Sequence, residues 1–230
     1  MRLISGEDCD TRASFPLLKL LRPKPLETIV RVSHHLTFIA LMFVYDYHPV
    51  AKTLFEIYFA RSATGGTWGN GVPETILWSL IIQIASAIRQ IHSVSLAARM
   101  IEPSKIIVTG KNRVRLNCCG IFDVIAFDGG KNLLQYQQED LIHFGQLVIS
   151  LGCGSLMAAH NLQKAMDIIS RQYSPDLKNV LMYLLSKPSN FKNIDDVVNM
   201  MGPRILTEIS AVHTQVCQIT SLYHIDTTMC

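Results

Sequence analysis

The chain has 230 residues, 49% of them hydrophobic and 17% charged, with a formal net charge of +3. That balance suits a globular fold with a sizeable core and excludes a disordered polar chain. A surplus this small, with no dense Lys/Arg block, gives little support to nucleic-acid binding by charge alone.

Six cysteines occur, at 9, 118, 119, 153, 217 and 230. None form C-x-x-C and no secretory signal precedes them, so they read as reduced thiols without a structural metal. The most apolar run, Leu36 to Tyr45, is too short to span a bilayer, and the next, Ile76 to Ile91, is broken by Gln83, Arg89 and Gln90. No membrane segment or targeting peptide is expected.

Residues 1 to 30 carry no readable pattern, and the two prolines of RPKPLE, Arg22 to Glu27, oppose any regular element there. Leu36 to Tyr45 predicts a buried strand that ends at Asp46-Tyr47-His48-Pro49. Lys52 to Phe59 predicts a short helix, and the glycines between Gly65 and Gly71 predict a loop. Pro73-Glu74 opens a long helix, with proline and an acid in its first turn. Its apolar positions, Ile76, Leu77, Leu80, Ile81, Ile84, Ala87, Ile88 and Ile91, recur at three and four residues and define one buried face. Trp78 lies beside that stripe and reads as packing, as does Trp68.

Ile106 to Thr109 and Arg113 to Asn117 predict two short strands joined by a turn at Gly110-Lys111-Asn112. Helices are then expected over Asp140 to Leu151, Asn161 to Ser170, from Ser174-Pro175, and over Ile194 to Met201, the last stopped by Gly202-Pro203. Ile205 to Gln215 predicts the start of one more. The class is α+β, mostly α.

The layout from Ile91 to Val124 is a helix end, a loop, a strand, a turn, a second strand and a glycine-containing loop. It resembles a protein-kinase core, whose loop reads H-R-D-L-K-P-x-N and whose second strand leads to D-F-G. Here those blocks read Ala98-Arg99-Met100-Ile101-Glu102-Pro103-Ser104-Lys105 and Cys118-Cys119-Gly120. The expected fold is therefore protein-kinase-like: the helical C-lobe with a truncated N-lobe reduced to its last strand.

Phosphoryl transfer needs an aspartate to orient the hydroxyl and an asparagine and a second aspartate to hold magnesium. Met100 stands at the first position and accepts no proton; Lys105 puts a cation where a cation would bind; Cys118 is a poor ligand for a hard ion. No glycine-rich loop with a following strand lysine is readable upstream. The chain is expected to be a pseudokinase, not an enzyme. Asp140, in DLIHFG, matches the kinase helix acid that supports the catalytic-loop backbone, although an acid serving the helix dipole would look the same.

A more specific set of blocks is FVYDYHP at Phe43 to Pro49, ETILWSLIIQIASAIRQIHS at Glu74 to Ser93, and EPSKIIVTGKNRVRLNCCGIFDV at Glu102 to Val124. LLQYQQEDL at Leu133 to Leu141 and SPDLKNVLMYLLS at Ser174 to Ser186 complete it. Together they resemble the pseudokinase regulatory subunit of the PAN poly(A)-nuclease deadenylation complex, from about residue 36 to residue 215. The resemblance implies a scaffold that recruits a nuclease subunit to polyadenylated mRNA in the cytoplasm, in P-bodies, and self-associates through a coiled coil. Poly(A)-binding protein and poly(A) RNA would engage regions not seen here.

It divides the chain into a divergent segment at 1–35, a pseudokinase domain at 36–201, and the start of a coiled-coil helix with a divergent tail at 202–230. The family's C-terminal knob is not found, so the sequence reads as a fragment. The resemblance also implies ATP bound without magnesium and without hydrolysis. The nucleotide contacts fall on Asp46, Tyr47, His48, Pro49, Val50, Ala51, Lys52 and Thr53, and on Ser104 and Lys105. Asp46 could accept sugar hydroxyls, and Lys52 and Lys105 offer point charges to phosphates. A solvated surface lysine at 52, a loop hydroxyl at 104 and a plain loop histidine at 48 are the competing readings of those residues, and an interaction-only module that binds no nucleotide is the alternative for the whole.

Overall fold

The computed structural model describes residues 4–5, 28–33, 39–60, 71–110, 112–125, 132–189, 191–207 and 210. The order is β1 (Ile4–Ser5), β2 (Thr28–Ser33), β3 (Ile39–Val44), β4 (Lys52–Thr53), α1 (Leu54–Tyr58), α2 (Glu74–Ser93), β5 (Ile106–Gly110), β6 (Arg113–Leu116), α3 (Ile121–Ile125) and α4 (Leu133–Cys153). A 3-10 turn (Leu156–His160), α5 (Leu162–Gln172), α6 (Pro175–Leu185) and α7 (Ile194–Met200) follow.

The helices pack through their apolar residues, on one face in α2 and all round the C-terminal half of α4, where residues 147–153 are all buried. In α2, Leu77, Trp78, Leu80, Ile81, Ile84, Ala85 and Ile88 are buried, whereas Ile76 and Ile91 at the margins of the predicted stripe are half-buried. Full burial of each large aliphatic side chain contributes about 1.5–3 kcal/mol, so this face alone holds the helix that its isolated propensity would not. α4 runs through the centre with Leu141, Phe144, Leu147, Val148, Ile149 and Leu151 buried, packing on α2, α5 and α6. Gly145 permits the closest approach: a Cβ there would lie 2.9 Å from the Leu184 and Leu185 side chains of α6.

α4 begins at Leu133, about two turns before the expected start at Asp140, with the Asn132 carboxamide oxygen accepting from Leu134 N at 3.3 Å. Its first turn is exposed and mixed, so the apolar periodicity that marks the helix starts only later. Asn161 is likewise the N-cap of α5 and not its first residue, its side chain accepting from Lys164 N. Pro73 is the N-cap of α2, one step outside the first turn where the sequence placed it. Ser174 does hold the N-cap position of α6, with Pro175 at the first helical residue, but its side chain makes no capping bond.

The helix ending before Gly202-Pro203 is found as expected, but helical structure resumes at once. α7 closes at Met200 and residues 202–207 are helical again, because a proline fits the first turn of a new helix as well as it stops an old one. The helix expected over Ile205 to Gln215 thus starts earlier, and residues 211–215 lie outside the described residues. The Gly65 to Gly71 loop also lies outside them, apart from Gly71, and so does Trp68.

Two three-stranded sheets are present among the described residues. β4, β5 and β6 pair antiparallel in that order, with Lys52 opposite Val108 and Thr53 opposite Ile107. The β5–β6 hairpin matches the predicted one. Gln83, which interrupts the apolar run of α2, docks it: its amide donates to Asn112 O at 2.7 Å and accepts from Val114 N at 3.2 Å. The second sheet has the order β1-β3-β2. The expectation of one strand before the hairpin is therefore too small: β1 and β2 lie in a stretch read as featureless, and β2 pairs with β3 along its whole length, Thr28 opposite Val44 through Ser33 opposite Ile39. TIVRVS is β-branched at four of six positions, a strand signal that the neighbouring prolines obscured. Lys52 and Thr53 are likewise strand, not helix, and α1 starts only at Leu54.

Candidate nucleotide site

The segment Asp46 to Thr53 leaves β3 and returns to β4. It turns at His48–Ala51, where Ala51 N donates to His48 O at 3.3 Å. Pro49 supplies a fixed φ at the second position of that turn, and Val50 takes the third at φ 62°. Asp46, Pro49 and Lys52 are exposed, Tyr47 and Val50 nearly fully so at 86% and 93%, and His48 and Ala51 are half-buried. The end of the segment is rigid. Thr53 and Glu56 form a reciprocal cap at the start of α1: Thr53 N donates to Glu56 Oε2 at 2.7 Å and Glu56 N donates to Thr53 Oγ1 at 3.1 Å. The backbone hydrogen bond from Thr53 and then its hydroxyl hold the Glu56 carboxyl below its usual range.

The structure brings this segment to the second predicted stretch. β4 pairs with β5, and Ser104-Lys105 lead directly into β5. Phe55 N donates to Pro103 O at 3.0 Å, fixing α1 beside the same loop. Lys105 is half-buried, its N–H donating to Glu102 O at 2.9 Å and its carbonyl accepting from Asn117 N at 2.8 Å. Ser104 is exposed, and its hydroxyl donates to Glu102 Oε2 at 3.3 Å. The Cys118–Gly120 turn closes on the third side: Tyr45 Oη, one residue before Asp46, donates to Cys119 O at 3.3 Å.

Asp140 is the anchor beneath. It is 0% exposed, and its two oxygens accept from Ala98 N and Arg99 N, each at 2.7 Å. His92 Nε2 lies 2.9 Å from Oδ2. Asp140 is the eighth residue of α4, so the helix-dipole alternative falls away and support of the loop backbone remains. Met100, next in the loop, is only 7% exposed and packs inward. The loop holds a second cluster that the sequence did not announce. Arg99 Nη1 donates to Asp123 Oδ1 at 2.8 Å, and the guanidinium lies over the Tyr136 ring at 4.1 Å and the Phe122 ring at 5.8 Å. An arginine followed 24 and 37 positions later by an acid and a tyrosine carries no local signature; only the fold unites them.

No grouping of three or more His, Cys, Asp or Glu residues suited to a metal ion occurs among the described residues. Cys153 is buried, and desolvation pushes its thiol up to about 11. None of the described helices is long and apolar enough to cross a membrane.

No family model matches the chain. Individual proteins do. The chain is 45% identical over 188 residues to the PAN2-PAN3 deadenylation complex subunit PAN3 of Cryptococcus neoformans, covering 76% of this chain and 28% of that protein. It superposes on the Drosophila melanogaster PAN3 pseudokinase with a TM-score of 0.79 at 30% identity, over 94% of this chain and 58% of that one. It matches Neurospora crassa PAN3 (pseudokinase and C-terminal region), solved in complex with PAN2, at 32% identity and TM-score 0.67, over 78% of this chain and 45% of that one. The chain therefore spans little more than a quarter of the curated relative's length. The fold is kinase-like, chiefly the helical lobe, and by its sequence and its superposition the chain belongs with the pseudokinase domain of the PAN3 family.

Proposed function

We propose that this chain is the pseudokinase part of a non-catalytic scaffold subunit in a poly(A)-shortening nuclease complex, and that it holds ATP without hydrolysing it. The observation that carries the reading is the convergence of three elements. β4 sets Lys52 beside β5, Ser104-Lys105 enter β5, and Tyr45 ties the start of the segment to the Cys118–Gly120 turn. Lys52 and Lys105 would hold the phosphates, and Asp46 the sugar hydroxyls. Met100 stands in the proton acceptor's place and is turned into the core, while Lys105 and Cys118 stand where magnesium ligands would. The partner would be a nuclease subunit, as PAN2 is for the Neurospora relative. Self-association through a coiled coil, access to poly(A)-binding protein and poly(A) RNA, and residence in cytoplasmic P-bodies belong to the same reading.

A thermal melt with ATP, with and without magnesium, tests the ligand. Binding to the native state alone at a hundredfold excess over Kd adds about 2.7 kcal/mol of stability, and it should do so equally without the metal. Lys52→Ala and Lys105→Ala should each reduce the shift, and no ADP should form. A specific observation favours an interaction-only module instead: the Thr53 hydroxyl is engaged by Glu56 and the Ser104 hydroxyl by Glu102. No shift at millimolar ATP would establish that alternative. Capture of the nuclease subunit by the full-length protein tests the scaffold role; this chain alone should capture it weakly.

A further inference from the structure

We propose that Arg99 is a positioning residue for the Asp46–Thr53 segment, acting through α3 and the Cys119–Tyr45 hydrogen bond; the consequence for ATP rests on the nucleotide reading above. The reasoning starts from α3. Five residues do not form a stable helix unaided, because nucleation costs more than one turn returns. Something must seat α3, and Arg99 does so with two kinds of contact. Its guanidinium donates to Asp123 at 2.8 Å and lies over the Phe122 ring at 5.8 Å.

Arg99 is itself held at its backbone and at its side chain. Its backbone N–H is fixed by the fully buried Asp140, its φ is 55°, and its side chain stacks on Tyr136 of α4 at 4.1 Å. The Arg99 side chain is only 15% exposed, which favours the stacking, whereas Asp123 is 36% exposed and leaves the ion pair partly open to solvent.

Seating α3 fixes the turn before it. Cys118 and Gly120 both have left-handed backbones, at φ 62° and 80°, which orients the peptide carbonyl of Cys119 between them. That carbonyl accepts from Tyr45 Oη. Tyr45 precedes Asp46, the first residue of the segment. The other end is already rigid through the β4–β5 pairing and the Phe55–Pro103 bond. The contacts thus run without a break from the core of α4, through Arg99, α3 and Cys119, to the Asp46 end of the segment, just past the last β2–β3 pair at Val44. Arg99→Met removes the cation and keeps the length; Asp123→Asn and Tyr45→Phe each cut the path at another link with little loss of packing.

Hydrogen exchange of the 46–53 amides and ATP titration, both on the full chain, provide the test. All three variants should exchange faster over 46–53 than the unaltered chain while α2 and α6 stay protected. ATP should bind about tenfold more weakly to Arg99→Met and about fivefold more weakly to Tyr45→Phe. A merely structural Arg99 would lower the melting temperature and leave Tyr45→Phe unchanged in both measurements, and that result overturns the proposal. Unchanged exchange over 46–53 in Tyr45→Phe and Asp123→Asn overturns it whether or not ATP binds. If the unaltered chain binds no ATP but exchange rises in all three variants, the nucleotide reading fails and the positioning role stands.

Discussion

Val50 adopts φ 62° at the tip of the turn that shapes the candidate segment, a conformation that a β-branched side chain occupies only under strain. Its side chain is almost wholly exposed, so no packing offsets the strain. Such a residue costs about 1–3 kcal/mol, and glycine in its place gives back about 0.5–1 kcal/mol through the entropy of the unfolded chain. Val50→Gly should therefore stabilise the chain by about 1 kcal/mol, raising the melting temperature by roughly 2–4 °C for a domain of this size. Denaturant titration of both proteins checks it, and a lower midpoint for the glycine variant would contradict the strained turn. Asp140 is the opposite case, where a buried charge is fully used. Each oxygen faces a backbone N–H, so Asp140→Asn turns one acceptor into a donor pointing at a donor. Leaving a buried N–H without its acceptor costs about 1–3 kcal/mol, and the asparagine variant should lose that much stability in a urea melt despite its matching shape.

At the scale of elements, the joints between helices are polar even though their faces are apolar. Tyr173, at the end of α5, donates its hydroxyl to Val72 O at 2.7 Å, with Gly152 O at 3.0 Å. It thereby ties the entry of α2 to the end of α4. Burial first, then the neighbouring Cys153 and Glu74, push its phenol up to about 12. Gly71 completes the joint: a Cβ there would fall 1.8 Å from Gly152 O and 2.4 Å from the Tyr173 hydroxyl. Tyr173→Phe should cost about 1–3 kcal/mol by leaving carbonyls without their donor, and Gly71→Ala more, because backbone must move away from backbone. Thermal melts of the two variants, in that order of severity, check the joint. None of this was legible in the sequence. The apolar face of α2 and the β5–β6 hairpin were, because one-sided burial imposes a period and turn residues mark a hairpin, and both survive in one dimension. Lys192 shows the limit: nothing around it marks a buried cation, yet its ammonium donates to Leu184 O in the last turn of α6 and to Ser186 O just past it. Candidate site residues were legible for another reason. Met100, Lys105 and Cys118 stand out against a pattern whose chemistry is known, whereas Arg99, Asp123 and Tyr136 meet only when the chain is folded.

Across the whole molecule, Glu74 joins parts of the chain far apart in sequence. From the start of α2 its Oε1 accepts from Trp78 Nε1 at 3.0 Å, its Oε2 accepts from Ser174 N at 3.3 Å, and Arg204 Nη2 lies 3.8 Å from Oε1. Arg204 also donates to Asp176 at 2.9 Å and lies over the Trp78 ring at 5.5 Å, so the helical residues 202–207 are clamped against α2 and α6. Burial works to raise the Glu74 carboxyl, but hydrogen bonds from Ser174 and Trp78 and the charge of Arg204 outweigh it, and the group lies below its usual range. The sign follows directly. The folded state holds the Glu74 proton less tightly than the unfolded chain, whose value is roughly 4.3, so its contribution is complete above that pH and is lost as pH falls through the lower folded value. Glu74→Gln has no proton to take up. The variant should melt below the parent at pH 7, and the gap should narrow steadily as the solution is taken below about pH 4. Salt should narrow it at pH 7 as well, since Arg204 and Asp176 are partly open to solvent. A gap independent of pH would mean that the carboxylate acts through shape alone, and the clamp on residues 202–207 would then rest on Asp176 and the Trp78 ring.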